Sequence, residues 1–123
     1  MTKIAIAGSP KSGKTTMTEE MSNVYHTDDL IPLGWNEASE AASNWFDDNA
    51  IKVVEGVTVP HALRMWLLRN FTNQNKPVDK VIYLSQPFAK LSTGQAGMAT
   101  GAWKVYSEIK PELIKRGVLL DER

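Results

Sequence analysis

Gly8, Ser9, Pro10, Lys11, Ser12, Gly13, Lys14 and Thr15 follow the spacing G-x-x-x-x-G-K-[ST]. Each residue type in that spacing has a physical task in holding phosphate. The glycines let the backbone turn tightly enough for successive N–H groups to point inward at phosphate oxygens. A helix opening after Gly13 adds the positive end of its dipole at the same place. Lys14 is expected to reach the β- and γ-phosphates of a nucleoside triphosphate, Thr15 to bind Mg²⁺ through its hydroxyl, and Thr16 to support it. A Gly-rich turn with no ligand is the alternative. Against it, the motif follows an apolar run, Lys3 to Ala7, and opens a helical stretch, the context that phosphate binding requires.

Ligands of a parallel α/β sheet bind outside the carboxyl ends of its strands. Val24-Tyr25-His26-Thr27 and Ile51 to Val54 read as the second and third strands, so Asp28, Asp29 and Glu55 fall at such ends. They are expected to converge on the edge that carries the phosphate turn. Phosphoryl transfer needs Mg²⁺ and an acceptor oriented by a carboxylate, and three carboxylates can meet both needs. Lys14, Asp28, Asp29 and Glu55 are therefore the catalytic candidates, and Thr15 and Glu55 the metal candidates. Asp28 is favoured over its neighbour because it sits nearer the strand. The pair can equally cap a following turn, and Glu55 can serve a neighbouring loop. Asp47 and Asp48 lie far from any strand end and read as a solvated face.

A transferred phosphoryl group also needs a cation. From Asn70 to Lys115 there is no arginine, which leaves Lys11, Lys90, Lys104 or a neighbouring subunit to supply one. Arg64 lies one to two turns into a helix that Pro60 suits as an opening residue. It can grip an acceptor's phosphate or carboxylate in a bidentate way, or simply face water. His61 reads as a surface or capping histidine, and Arg69 as solvated. Trp35 stands in a loop after the aspartates and can stack on a flat group or pack in the core. Trp45, Trp66 and Trp103 sit on apolar helical stripes and read as core.

The elements that must position these residues alternate in the β-α-β manner of a parallel sheet. After the first strand, 13–23 reads as a helix. A loop with Pro32 and Gly34 leads to a helix over 36–49, striped by Ala38, Ala41, Ala42 and Trp45. The helix from Pro60 presents Leu63, Trp66, Leu67 and Asn70 or Phe71 inward. Lys80 to Leu84 is the fourth strand. The segment 86–101, with Gly94, Gly97 and Gly101, reads either as a mobile lid or as an ordinary surface loop. The last helix is expected over 102–116, kinked or split at Pro111 and stopped at Gly117. Val118 to Leu120 is an optional edge strand.

Composition bounds the partners. The 123 residues suit a single domain, 1–123, of which 42% are hydrophobic and 23% charged. Lys plus Arg and Asp plus Glu number 14 each, so no broad grip on nucleic acid or an anionic membrane is expected. Absence of cysteine excludes disulfides and thiolate chemistry. No signal-type or membrane-spanning run is visible, and a reducing cytoplasm is the expected location. A homo-oligomer is compatible with all of this.

The phosphate motif, the Asp28-Asp29 pair and Val53-Val54-Glu55-Gly56 together make the chain resemble the P-loop NTPase superfamily, and within it the small nucleoside, nucleotide and metabolite kinases, including short phage proteins. The resemblance implies a three-layer α/β fold with a parallel sheet of four or five strands, order 2-3-1-4, and helices on both faces. It implies ATP and Mg²⁺, a small-molecule acceptor such as a nucleoside or (deoxy)nucleoside monophosphate bound near Trp35, and an acid after strand two that orients the acceptor hydroxyl, which maps onto Asp28 or Asp29. Glu55 stands at the second acidic motif, where many relatives carry Asp. The missing arginines depart from the adenylate-kinase-like lid. A nucleotide-binding or slow ATPase module acting through a protein partner is the second reading. No N-K-x-D segment for reading guanine is present, and a DNA-processing ATPase fits the neutral charge poorly.

Overall fold

The computed structural model describes residues 2–9, 13, 14, 18, 19, 21, 23–87 and 89–123. Pro10, Lys11, Ser12, Thr15 and Thr16 lie outside the described residues, as does much of the helix expected over 13–23. The described elements are β1 (Ile4–Gly8), β2 (Val24–His26), a 3₁₀ helix (Thr27–Leu33), α1 (Trp35–Trp45), β3 (Val53–Glu55), α2 (Val59–Arg69), β4 (Lys80–Leu84), α3 (Thr93–Lys115) and β5 (Leu119–Glu122). The strands form one parallel sheet in the order β2-β3-β1-β4-β5. This is the expected order, with the optional last strand present at the β4 edge. Among the described residues no helix is long and apolar enough to cross a membrane.

β1 is central because it can be buried on both faces: Ala5, Ile6 and Ala7 are fully inaccessible. Register then assigns every strand residue to a face, since partners in parallel strands point the same way. Ala5, Val54, Val81 and Tyr83 share the face covered by α1, α2 and α3. Ile4, Ile6, Val53, Ile82 and Leu84 share the opposite face, together with Val24. The described helices thus pack on one face alone. Helices on both faces were expected, and much of the helix expected over 13–23 lies outside the described residues.

α1 begins at Trp35 and ends at Trp45, short of the expected 36–49. Its buried face holds Ser39 and Ser43 beside Ala38 and Ala42. Their hydroxyls donate to the carbonyls of Trp35 and Glu40, which makes small polar residues acceptable against α2. Trp45 is only half-buried and meets Tyr25 edge-on. α2 carries Pro60 in its first turn and buries Leu63, Trp66 and Leu67; of the alternatives Asn70 or Phe71, Asn70 is half-buried and Phe71 is 75% exposed. Arg69 and Asp47, both read as solvated, tie the two helices together. Arg69 donates to the Ser43 hydroxyl at 2.6 Å, and the Trp66 indole N–H donates to Asp47 Oδ1 at 2.8 Å.

α3 differs most from expectation. It starts at Thr93, nine residues before the expected start at Ala102, and takes in the three glycines of the supposed lid. The reason is a reciprocal cap: the Ser92 hydroxyl accepts from the Gln95 backbone N–H, and the Gln95 side chain accepts from that of Ser92. Among the described residues of 86–101, those before this cap are irregular. The helix also runs on through Pro111, whose missing N–H falls opposite the carbonyl of exposed Ser107. Ala102, Val105, Tyr106, Ile109 and Leu113 form the buried stripe. Trp103 stands off it and is 44% exposed, where core packing had been expected. Gly117, at φ 87°, ends the helix as expected. Arg116, buried beside it, donates to the carbonyls of Asn75 at 2.7 Å and Asn70 at 3.0 Å and to Glu112 at 2.9 Å.

Candidate functional site

β1 delivers Gly8 and Ser9 to the carboxyl edge of the sheet. Gly8 has φ +149°, and a Cβ there would stand 2.1 Å from the Leu84 carbonyl oxygen. Only glycine lets β1 end this close to β4. Gly13 also has a positive φ, +92°, though nothing lies within 4 Å of where a Cβ would sit there. Lys14 follows with helical backbone. Its side chain folds back into the protein and is 8% exposed. The ammonium donates to the Ser9 carbonyl at 2.6 Å and the Gly8 carbonyl at 3.3 Å. Burial lowers its pKa, and the charges of Glu55 and then Asp28 work in the opposite sense. Lys14 thus lies within the electrostatic reach of Glu55 and Asp28, two of the three carboxylates expected near it.

Glu55 is the last residue of β3 and 2% exposed. In register it stands between Ile6 of β1 and His26 of β2. All three belong to the face opposite the described helices. His26 Nδ1 lies 2.5 Å from Glu55 Oε1, and this hydrogen bond fixes the carboxylate. His26 had not been singled out from the sequence. Its only signal is the pairing of β2 with β3, which a lone histidine in a three-residue strand does not announce.

Asp28 and Asp29 open the 3₁₀ helix and are both exposed. The stretch had been expected as a loop, with Thr27 in the strand. Thr27 instead begins the 3₁₀ helix and is fully buried. It sits against Gly56, where a Cβ would come 1.6 Å from Thr27 Oγ1. Gly56, at φ +146°, thus sets how closely the segment bearing Asp28 approaches β3.

Trp35 is the first residue of α1, and its ring meets His61 of α2 edge-on at 5.3 Å. His61 is half-buried, and burial, followed by the charge of Arg64, lowers its pKa. Arg64 forms an ion pair with Glu108 of α3 at 3.7 Å. The two residues expected to contact an acceptor are thus divided: Trp35 abuts the first turn of α2, while Arg64 is engaged by α3. Lys104 is exposed on α3.

The buried side-chain polar atoms that lack a hydrogen-bond partner among the described residues are Ser9 Oγ, Thr27 Oγ1, Thr58 Oγ1, His61 Nδ1 and Tyr83 OH. Ser9, Thr27 and Tyr83 lie at the carboxyl ends of β1, β2 and β4, Thr58 occupies the N-cap position of α2 and His61 lies in its first turn. Leaving such a group without a partner costs about 1–3 kcal/mol, so water or a ligand is expected to satisfy each of them. Among the described residues no group of three or more acidic or histidine side chains could hold a metal ion. Glu55 offers one carboxylate, which suits Mg²⁺, a cation bound through one or two carboxylates with phosphate oxygens and water completing its shell.

No protein-family model matches the chain, and no curated protein matches it either.

Proposed function

We propose that the chain is a P-loop phosphotransferase that moves the γ-phosphate of ATP onto a small acceptor. The observation that carries this reading is the buried Lys14 ammonium, held at the carbonyls of Gly8 and Ser9 within the fields of Glu55 and Asp28. A cation kept this far from water, at the carboxyl end of the central strand, is poised to exchange carbonyl partners for phosphate oxygens. The strand order and the turn geometry of Gly8 and Gly13 support the same reading.

In this mechanism Lys14 binds the β- and γ-phosphates. Asp28 accepts the proton of the acceptor hydroxyl, whose oxygen bonds to the γ-phosphorus as the bond to the ADP oxygen breaks. Asp29 stands beside it, exposed at the same opening. Glu55, oriented by His26, together with the Thr15 hydroxyl, would hold Mg²⁺. When bound, Mg²⁺ supplies charge neutralisation on the phosphate oxygens. Trp35 lines the approach from α1.

One observation favours the second reading, a nucleotide-binding or slow ATPase module. Each arginine of the chain is in an ion pair: Arg64 with Glu108, Arg69 with Asp47, Arg116 with Glu112 and Arg123 with Asp121. A partner protein would then provide the missing cation.

The experiment is incubation with γ-labelled ATP and Mg²⁺ over a panel of nucleosides, nucleoside monophosphates and sugars. Label is expected on one acceptor class and absent with Lys14→Ala. Asp28→Asn is expected to lower transfer at least a hundredfold, the scale of acid–base catalysis, with ATP binding nearly intact. Transfer that survives Lys14→Ala refutes the mechanism. Label found only in free phosphate favours the ATPase module.

A further inference from the structure

The parallel register of β2 and β3 pairs His26 with Glu55. The two side chains therefore leave the same face of the sheet from neighbouring strands, which lie about 4.8 Å apart. On the other flank Glu55 is paired with Ile6 of β1. It is thus walled on both sides and 2% exposed, while the His26 side chain is 37% exposed. His26 Nδ1 lies 2.5 Å from Glu55 Oε1. A carboxylate only accepts, which makes Nδ1 the donor. Among the described residues Oε1 is the Glu55 oxygen with a hydrogen-bond partner, and Oε2 has none.

Divalent cations differ in what they ask of a carboxylate. Ca²⁺ takes roughly six to eight oxygens in flexible geometry and often uses both oxygens of one carboxylate. Mg²⁺ is smaller, demands a near-ideal octahedron, and combines one or two carboxylates with phosphate oxygens and water. A glutamate with both oxygens free serves either ion. Glu55, with Oε1 held by His26, offers a cation Oε2 alone. Presenting both oxygens would break a hydrogen bond made by a charged acceptor, and the burial of Glu55 leaves no water to replace it. Ile6 and His26, on either flank, also limit any turn of the carboxylate.

We infer that His26 is a positioning residue that sets the cation preference of the site: by reserving Oε1 it confines Glu55 to coordination through one oxygen, and so selects Mg²⁺ or Mn²⁺ against Ca²⁺. The inference rests on the proposed reading for the binding of a metal-bound nucleotide, but not for the transfer of phosphate. His26 acts through Glu55 and touches neither cation nor substrate.

The test is calorimetric titration of the whole chain with a non-hydrolysable ATP analogue in excess Mg²⁺, Mn²⁺ or Ca²⁺. The analogue is expected to bind about tenfold more tightly with Mg²⁺ or Mn²⁺ than with Ca²⁺. His26→Ala is expected to bring the Ca²⁺ value within about threefold of the Mg²⁺ value. His26→Asn, which keeps a donor near the position of Nδ1, is expected to retain the preference. The unaltered chain supplies a second measurement that needs no variant. In the ¹⁵N spectrum of the His26 ring, the Nδ1–H signal is expected to persist when Mg²⁺ and the analogue bind. Loss of that signal on binding, equal affinity with Mg²⁺ and Ca²⁺, an unchanged preference in His26→Ala, or analogue binding that no metal alters overturns the inference. If the preference and its loss in His26→Ala appear while γ-labelled ATP marks no acceptor, the phosphotransferase reading fails and the role of His26 stands. If an acceptor is labelled in Mg²⁺ while the chain binds the analogue equally with Ca²⁺, the role of His26 fails and the phosphotransferase reading stands.

Discussion

Gly56→Ala tests whether the approach of the 3₁₀ helix to β3 is as tight as it looks. The added Cβ would stand 1.6 Å from Thr27 Oγ1, 2.9 Å from Thr27 Cβ and 3.4 Å from Thr27 Cγ2. Thr27 is fully buried and cannot swing into solvent. Overpacking of this sort costs about 1–3 kcal/mol, and holding a non-glycine residue at φ +146° costs about 1–3 kcal/mol more. A loss of about 4 kcal/mol is expected, a large share of the roughly 5–15 kcal/mol that stabilises an ordinary domain. Urea unfolding followed by circular dichroism gives the number. Thr27→Ala supplies the partner for a double-mutant cycle. Alone it removes an unpartnered hydroxyl and a methyl group, for a cost of about 1 kcal/mol. Combined with Gly56→Ala it removes the 1.6 Å contact and leaves the backbone strain. The double variant should therefore recover about 1–2 kcal/mol relative to the sum of the singles. A Gly56→Ala loss below 1 kcal/mol, or strict additivity with Thr27→Ala, refutes the close approach as the reason for glycine.

Two further perturbations probe the frame around the site. Arg116→Ala deprives the carbonyls of Asn70 and Asn75 of their donor and should cost about 3 kcal/mol; Arg116→Lys should recover less than half, as an ammonium lacks the planar fork, and the same urea titration checks both. His61 has its pKa lowered, by burial first and by Arg64 second. The unfolded chain therefore binds the proton more readily, and the His61 contribution to stability falls as pH drops below the ordinary histidine value of 6.5 toward the lowered one. His61→Gln should flatten the pH 5–7 segment of a thermal-unfolding profile, and an unchanged slope would contradict the assigned burial.

The parts of the fold that were legible in the sequence are those governed by local rules. β4 keeps its expected limits because the β-branched and aromatic residues Val81, Ile82 and Tyr83 follow a polar turn. The positive φ of Gly8 and Gly13 was legible because glycines at that spacing mark backbone that turns tightly. α3 was misjudged because three glycines outweighed Ser92 and Gln95, whose mutual cap is visible in the sequence as S-T-G-Q. The 3₁₀ helix was missed because Pro32 and the paired aspartates read as loop chemistry, whereas burial of Thr27 under Gly56 decides the path. His26 and Arg69 have roles that exist only across strands or between helices. Trp103 shows the limit of periodicity: one position along a helix separates a buried stripe from a half-exposed ring.

The glycines of α3 divide that helix into two energetically unlike halves. Nothing lies within 4 Å of where a Cβ would sit at Gly94, Gly97 or Gly101, so no packing requirement explains them. Each costs a helix about 1 kcal/mol relative to alanine, and the Ser92–Gln95 cap returns only about 1–2 kcal/mol. From Ala102 onward the helix is anchored by Val105, Tyr106, Ile109 and Leu113. Ala99 and Thr100, which with Ser9, Tyr83, Ser85 and Trp103 wall a cleft of about 270 Å³, belong to the half without that anchor. The chain therefore has no single resistance to unfolding. Its sheet and the distal part of α3 open together with the whole domain, while the proximal turns above the cleft lie close to balance between helix and coil and can open by themselves.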